Sequence, residues 1–254
     1  GYAVVTMCYH DIYPDNKNGE SQSILALLPK TDDSGSRWQA LGAWAWGSSR
    51  IADWVEKQSW ANKEQLCVIG HSRQGKAAIW AGVQDERFKV VISNNSGCGG
   101  AALSKREYGE TISSITSSFP HWFCENFSKY SDNEQRLPFD QHELLALVAP
   151  RHIYVASAEG DQWADPKGEY LSAFHASPVY ELYGMKGLPS EEMPEVQSPI
   201  MNDIGYHIRS GSHDITSYDW GCYLDYCDKV YGRTPQHSYK DGVCEVCGNP
   251  DPEY

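Results

Sequence analysis

The sequence predicts an α/β fold, in which a mostly parallel sheet is covered by helices on both faces. The first observation is that short, largely apolar runs alternate along the chain with longer amphipathic stretches, as strands joined by helices do. The second is that the chain has 254 residues, of which 41% are hydrophobic, so one large domain can bury a sizeable core. Because such sheets bind ligands beyond the carboxyl ends of their strands, we expect the chemistry in the loops that follow the strands.

The predicted strands and helices follow one another in a regular order. In chain order, the strands are YAVVTMC (2–8), LCVIG (66–70), FKVVIS (88–93), RHIYVASA (151–158) and GYHIRS (205–210). Apolar residues recur at three- and four-residue spacing in the predicted helices, which cover residues 38–57, 73–84, 168–184 and 216–232. An irregular, aromatic-rich stretch at 106–140 separates the third strand from the fourth.

Composition argues against several classes of partner. The formal net charge of −13 disfavours nucleic acid and anionic membranes, since both bind basic surfaces. No apolar run reaches the roughly 18 residues of a membrane span. The chain contains 9 Trp and 16 Tyr. Exposed aromatic rings often stack on sugars, although we expect most of these rings to be core or ordinary surface residues.

The C-terminal residues differ in composition from the rest of the chain. Beyond about residue 233, Gly, Pro, Asp and Asn dominate, which divides the chain into a main domain, residues 1–232, and a linker or tail, residues 233–254. The tail contains Cys244 and Cys247 as a C-x-x-C pair. Zinc would need two further ligands and only His237 is near, so we expect a local disulfide or an exposed pair and no metal site.

Residues 68–80, VIGHSRQGKAAIW, fit two incompatible motifs. The glycines and the lysine spell G-x-x-x-x-G-K, which is nearly a phosphate-binding loop. That motif requires Ser or Thr after the lysine to bind Mg²⁺, and here the residue is Ala77. The same strand–turn–helix pattern suits a nucleophile elbow, in which Ser72 lies at a sharp turn.

An elbow serine requires an acid and then a histidine, each on a loop that follows a later strand. The fourth predicted strand is followed by Glu159, Asp161 and Asp165, and the fifth by His213. A single Ser, His and Asp set is common in a chain of this length, but three such residues at predicted strand ends in the required order rarely coincide. The sequence therefore predicts a serine hydrolase with an α/β-hydrolase-like fold.

The elbow departs from the usual G-x-S-x-G because its second glycine comes one position late. The pattern G-x-S-R-x-G-K, with S-G-x-G-G-A at 96–101, A-S-A-E-x-D-x-W-A-D-P at 156–166 and G-x-H-D at 211–214, resembles carbohydrate esterase family 15. These are the glucuronoyl esterases, and the resemblance is to their bacterial branch over about residues 1–232. Members hydrolyse the ester that joins 4-O-methyl-glucuronic acid on xylan to alcohols of lignin.

The resemblance implies a secreted bacterial enzyme that acts as a monomer, without a cofactor, on glucuronoxylan–lignin esters. It also implies strands before GYAVVT. The chain starts without an initiator Met or a signal peptide, so we interpret it as N-terminally truncated. We expect the absence of the preceding strands to compromise the fold and the activity.

Carried over residue by residue, the resemblance makes Ser72 the nucleophile and His213 its base. Fungal members place a Glu at the position of Asn95, and an amide cannot supply its charge. Many bacterial members use an Asp that matches Asp161, so we predict Asp161 as the acid. Asp165 suits a turn or cap before the following proline instead.

Four other side chains take roles by the same resemblance. Arg73 would act on the oxyanion and the carboxylate region, Lys76 and Glu125 would bind sugar hydroxyls, and Trp163 would lie beside the uronate. A cation at a helix N-terminus is unfavourable, which supports a functional interpretation of Arg73. For Trp163 and Glu125, the alternatives are ordinary packing and a solvated surface.

The residues that flank the elbow serine and the histidine differ from the fungal pattern. Fungal relatives carry bridged cysteines there, whereas this sequence has His71 and Asp214. We expect a hydrogen bond between these two side chains to join the nucleophile loop to the base loop without a disulfide.

Two rival functions follow from the same residues. The first is another carbohydrate esterase, such as an acetyl-xylan or cinnamoyl esterase, although Arg73 and Lys76 favour an acyl group with hydroxyls and developing negative charge. The second is a non-catalytic carbohydrate-binding remnant, which the truncation and the aromatic content suggest.

Overall fold

A computed structural model of the protein describes residues 1–29, 34–233 and 239–244. Within these ranges, the main sheet has five strands in the order β1-β2-β3-β5-β4. They are β1 (Leu66–His71), β2 (Phe88–Asn94), β3 (His152–Ala158), β4 (Ile200–Met201) and β5 (Ile204–Arg209). Only the pairing of β4 with β5 is antiparallel in this described sheet. The predicted mostly parallel sheet is confirmed.

The described residues form seven α-helices. They are α1 (Ala40–Val55), α2 (Arg73–Gln84), α3 (Ile112–Ser118), α4 (Glu125–Ser128), α5 (Gln141–Ala146), α6 (Pro166–Leu182) and α7 (Ser217–Val230). The four predicted helices are confirmed as α1, α2, α6 and α7. Helices α3 and α4 lie in the stretch predicted as irregular, because so few residues carry too little helical periodicity to be recognised.

Successive residues of a strand point to opposite faces of the sheet, and this alternation divides the core. Val91 of β2 and Val155 of β3 belong to a buried cluster with residues of α1, α2, α5 and α6. Ile92 and Tyr154, one position away, belong to a second cluster with residues of α7. Helices therefore cover both faces, as the sequence predicts.

The prediction of a strand at residues 2–8 is wrong. These residues form no strand, and Val4 is 72% exposed. A strand needs a hydrogen-bonded neighbour, and among the described residues β1, at the edge of the sheet, pairs with β2 alone. The apolar pattern of 2–8 predicts burial against a neighbour that the described residues do not supply.

The described part of the tail is small. It consists of the antiparallel pair β6 (Tyr239–Lys240) and β7 (Val243–Cys244). The C-x-x-C pair cannot be assessed from it, because Cys247 and the side chain of Cys244 lie outside the described residues.

No described helix combines the length and the apolar character that a membrane crossing requires.

The register of the parallel strands brings their carboxyl ends to one edge. His71 pairs with Asn94, Asn94 with Ala156, and Ala158 with Arg209. The loops that follow β1, β2, β3 and β5 consequently leave the sheet side by side, although they are far apart in the chain.

Candidate active site

Ser72 occupies the turn between β1 and α2 with φ 57° and ψ −127°, a conformation that residues other than glycine rarely adopt. The two glycines around it are required by close packing. A Cβ on Gly70 would lie 1.9 Å from the carbonyl oxygen of Gln74, and a Cβ on Gly75 would lie 2.9 Å from Cβ of Ser96. The late second glycine is therefore the one that packs against the loop after β2.

Ser72, His213 and Asp161 form one hydrogen-bonded line. Oγ of Ser72 lies 2.8 Å from Nε2 of His213, and Nδ1 of His213 lies 2.6 Å from Oδ2 of Asp161. The Asp161 side chain is 6% exposed and that of His213 is 44% exposed. The line thus runs from a buried carboxylate to a hydroxyl that a substrate can reach.

The charge of Asp161 suits this arrangement. Burial acts to raise its pKa, but hydrogen bonds from His213 and from Asn95 outweigh burial and lower the pKa below its ordinary value. An ionised carboxylate on Nδ1 keeps the proton there and leaves the lone pair of Nε2 for the serine hydroxyl.

The other two carboxylates of this loop lie elsewhere. Glu159 is exposed. Asp165 accepts hydrogen bonds of 3.0 Å from the Gly168 backbone and of 2.8 Å from Nε of Arg106, and it caps the N-terminus of α6. The predicted cap at Asp165 is confirmed.

The N-terminus of α2 supplies unpaired donors next to the serine. The first turn of a helix leaves backbone N–H groups without partners, and those of Arg73 and Gln74 have no acceptor among the described residues. The partial positive charge of a helix N-terminus adds to their effect. Such donors can stabilise an oxyanion that forms beside Ser72.

The Arg73 side chain is held in one orientation. Its Nη1 lies 2.5 Å from Oδ2 of Asp15, and its guanidinium lies 4.8 Å from the ring centre of Trp122 and 5.4 Å from that of Phe119. Asp15 is itself fixed, since it also accepts hydrogen bonds from the rings of Trp122 and His121. Nothing in the sequence signalled Asp15 as the partner of Arg73.

Lys76 is buried one turn further along α2. Its ammonium donates to the carbonyl oxygens of Ser96, at 2.5 Å, and Cys98, at 2.7 Å. An ammonium has three N–H donors. Besides the two carbonyl oxygens, Oε2 of Glu110 lies 3.8 Å from Nζ of Lys76. Burial lowers the pKa of Lys76, and the Glu110 carboxylate opposes that change.

Glu110 joins Lys76 to the loop that carries Trp163. Its backbone N–H donates to the carbonyl oxygen of Trp163 at 2.8 Å. Burial raises the pKa of the Glu110 carboxyl, while Lys76 and Trp163 act to lower it. The Trp163 ring is 58% exposed. Glu110 was not predicted, because no motif surrounds it and only the path of the loop brings it to Lys76.

Comparisons with known proteins identify the family of this chain. The sequence family described as glucuronyl esterase, fungi, matches residues 2–184. The chain belongs to the glucuronoyl esterase family. The predicted resemblance is thereby confirmed.

Relatives of this glucuronoyl esterase chain come from bacteria and fungi. It is 46% identical over 231 residues to carbohydrate esterase MZ0003 of an unknown prokaryotic organism, covering 90% of this chain and 53% of the relative. It is 35% identical over 195 residues to 4-O-methyl-glucuronoyl methylesterase 1 of Wolfiporia cocos, covering 73% and 47%. The solved glucuronoyl esterase of Solibacter usitatus matches with a TM-score of 0.83 at 51% identity, covering 87% and 57%. The chain thus spans about half the length of these relatives.

Glu125, predicted to bind sugar hydroxyls, is not brought to this cluster by any described contact of its side chain. It is exposed at the first position of α4. The carboxylate that lies next to Lys76 is instead that of Glu110, 3.8 Å from Nζ.

The expected hydrogen bond between His71 and Asp214 is not formed. Nδ1 of His71 lies 2.5 Å from Oδ1 of Asn94, and the Asp214 carboxylate accepts from the backbone N–H of Ile215 at 2.7 Å. The register places Asn94 beside His71 on the neighbouring strand, so it is the nearer partner. The His71 ring instead contacts that of His213, with ring centres 4.6 Å apart.

A buried carboxylate supports the loop after β2. Oε1 of Glu169, on α6, accepts from the backbone N–H groups of Ser96, at 2.7 Å, and Gly97, at 3.0 Å. Its Oε2 accepts from the hydroxyl of Ser157 at 2.7 Å. Burial raises the pKa of Glu169 to about 7. The supported loop includes Asn95 and the carbonyl oxygens that bind Lys76.

Within the described ranges, no group of three or more His, Cys, Asp or Glu side chains is arranged to hold a metal ion.

Proposed function

We propose that this chain carries the active site of a serine esterase that hydrolyses 4-O-methyl-glucuronoyl esters, which link glucuronoxylan to lignin alcohols. The observation that carries the proposal is the line of hydrogen bonds from Asp161 through His213 to Ser72, at 2.6 and 2.8 Å. Membership of the glucuronoyl esterase family supports the substrate class.

In the first half of the reaction, Oγ of Ser72 attacks the carbonyl carbon of the ester. Nε2 of His213 takes the hydroxyl proton, and Asp161 stabilises the imidazolium that results. The negative charge on the former carbonyl oxygen is met by the backbone N–H groups of Arg73 and Gln74 and by the nearby guanidinium. His213 then gives its proton to the departing alcohol, which leaves the uronoyl group on Ser72.

In the second half, a water molecule attacks the acyl-enzyme. His213 takes a proton from the water, the same donors stabilise the second tetrahedral intermediate, and Ser72 leaves with the proton. The products are the free uronic acid and the alcohol. Nε2 of His213, which lies 2.8 Å from Oγ of Ser72, gives or takes the proton in every step.

The acyl group is recognised on the side of Ser72 that faces α2 and the Trp163 loop. Lys76 and Glu110 offer a donor and an acceptor to the sugar hydroxyls, and the exposed Trp163 ring offers an apolar surface beside them. The Arg73 guanidinium would act on the carboxyl group, where negative charge develops. This arrangement favours a hydroxylated acyl group over acetyl or cinnamoyl groups.

The test combines labelling with substrate comparison. A fluorophosphonate should label the wild-type chain at Ser72 and should not label Ser72→Ala, as located by peptide mass spectrometry. The same protein should hydrolyse methyl 4-O-methyl-glucuronate faster than acetylated xylan or methyl ferulate. Absence of labelling would identify a carbohydrate-binding remnant, and preference for acetyl or cinnamoyl esters would identify a different esterase.

We further propose that residues 1–232 are part of the esterase domain and residues 233–254 a linker or tail. The chain would act as a secreted monomer on plant cell-wall polysaccharide. The net charge of −13 supports the absence of nucleic-acid and anionic membrane partners, since both favour basic surfaces.

A further inference from the structure

Tyr108 presents an aromatic ring at the surface in a fixed position. The residue is 46% exposed, yet its hydroxyl donates to Oε1 of Gln162 at 2.7 Å. The amide nitrogen of Gln162 in turn donates to the carbonyl oxygen of Glu159 at 2.7 Å. The outer end of the ring is therefore tied to the loop that carries Asp161.

One face of the Tyr108 ring is also covered. The guanidinium of Arg106 lies 5.6 Å from the ring centre, and it is fixed by hydrogen bonds of 2.8 and 3.2 Å to the buried carboxylate of Asp165. Among the described residues, this is the one ring or cation contact of Tyr108. No ring or cation contact covers the opposite face in the described part of the chain, and the residue remains 46% exposed.

The Tyr108 segment packs tightly against the Trp163 loop. Glu110 donates its backbone N–H to the carbonyl oxygen of Trp163, and a Cβ on Gly109 would lie 2.5 Å from that same oxygen. Gly109 has φ +66°, which a larger side chain would strain. The exposed side chains of Tyr108 and Trp163 therefore stand on two adjoining segments.

We propose that Tyr108 forms a second carbohydrate subsite, in which a pyranose ring of the glycan that carries the uronate stacks on the free face of the phenol. This inference rests on the proposed function, since it extends the acyl-group side of the same site. Side chains in fixed positions lose little conformational entropy when a ligand binds. Here the ring is held at one edge and one face before any ligand arrives.

A sugar fits this surface better than the aromatic ring of a lignin alcohol. The ring is bordered by two hydrogen-bonding groups, the Gln162 amide and the Arg106 guanidinium. An amide and a guanidinium carry several donors and acceptors and can also pair with sugar hydroxyls, which an apolar ring does not offer. The glycan also leaves the uronate through its anomeric carbon, whereas the alcohol leaves through the carboxyl carbon, so the two extend in different directions.

The test compares substrates of different length. For wild type, Tyr108→Ala and Tyr183→Ala, kcat/KM is measured on methyl 4-O-methyl-glucuronate, on benzyl glucuronate and on the methyl ester of a glucuronoxylo-oligosaccharide. Tyr183 is the matched control, because it is an exposed tyrosine just beyond the end of α6. We expect the ratio of oligosaccharide ester to methyl monosaccharide ester to fall by about two- to tenfold in Tyr108→Ala, from the loss of one stacking contact. The ratio should stay at its wild-type value in Tyr183→Ala.

The outcomes separate this inference from the proposed function. An unchanged ratio in Tyr108→Ala, or a fall confined to benzyl glucuronate, would overturn the glycan subsite while leaving the esterase intact. Absence of hydrolysis of every ester by wild type would contradict the proposed function itself. In that case, binding of the free oligosaccharide to wild type and Tyr108→Ala, followed by Trp fluorescence, still tests the subsite, because the uncleaved ligand needs no catalysis. Equal affinities would overturn it.

Discussion

Asn95 donates a hydrogen bond of 2.8 Å to Oδ2 of Asp161, the same oxygen that lies 2.6 Å from Nδ1 of His213. The amide at the position for which the family resemblance implies a glutamate in fungal members is thus a partner of the proposed acid. Both side chains are buried, where a donor to a carboxylate stabilises its charged form. Asn95 therefore helps Asp161 to remain ionised beside His213.

Asp161→Asn should lower kcat by roughly 10²–10⁴, because an amide cannot stabilise the imidazolium that forms on His213. Substrate binding should change much less, since Asp161 does not face the acyl group. The measurement is steady-state kinetics on methyl 4-O-methyl-glucuronate. Glu159→Gln, which neutralises an exposed carboxylate two positions earlier, is the control and should retain wild-type turnover.

Asn95→Ala should cost less than Asp161→Asn, since it removes one donor and no charge. Asn95→Glu placed in the Asp161→Asn background should recover part of the lost turnover by supplying a carboxylate from the neighbouring loop. If Asp161→Asn kept most of its kcat, another group would have to act as the acid.

Glu110→Gln should lower kcat/KM on methyl 4-O-methyl-glucuronate by about ten- to a hundredfold. The reason is the loss of a charged acceptor, and hydrogen bonds to charged groups contribute about 1.5–3 kcal/mol. The effect should appear mainly in KM, because the proposed role of Glu110 is to bind the sugar and not to act on the reacting carbon. Glu125→Gln is the matched control and should behave as wild type. A larger loss in Glu125→Gln would return that residue to the sugar-binding role predicted from the sequence.

Ser72→Gly should be more stable than Ser72→Ala by about 1 kcal/mol. Both variants lose the hydrogen bond to His213, but only glycine adopts φ 57° without strain, and such strain costs about 1–3 kcal/mol before the entropy penalty of glycine is subtracted. Denaturant unfolding of the two variants measures the difference. Equal stabilities would show that the turn is not strained.

Glu169 should make the free energy of unfolding depend on pH. Its pKa is raised from 4.5 to about 7 in the folded protein, so between these values the folded state binds more protons than the unfolded state. Stability from this group is therefore greatest at low pH and falls as pH rises towards 7. Glu169→Gln has no proton to lose, and its stability relative to wild type should increase by about 2–3 kcal/mol from pH 5 to pH 8.

Chemical denaturation of wild type and Glu169→Gln at several pH values provides the measurement. Glu181→Gln, an exposed position on the same helix, should track wild type throughout. A constant difference between Glu169→Gln and wild type would mean that Glu169 is ionised in the fold over this whole range.

Several features could be predicted from sequence because their signals are local. Apolar runs and helical spacing identified four of the five main-sheet strands and the four longest helices. The glycines around Ser72 indicated a tight turn, and chain order placed Asp161 and His213 at strand ends. The strand prediction for residues 2–8 failed because an apolar run indicates a tendency to be buried, but it does not indicate whether a neighbouring strand is present.

By itself, the sequence determined the α/β order, the elbow at Ser72 and the family. Each of these follows from residues that lie close together in the chain, whose spacing constrains the local backbone directly. Only the tertiary structure decided that Glu110 faces Lys76, that Asp15 holds Arg73 and that Asn94 binds His71. Each of these contacts joins segments far apart in the chain. Such contacts depend on strand register and on the path of irregular loops, and loops carry no periodic pattern from which a partner can be predicted.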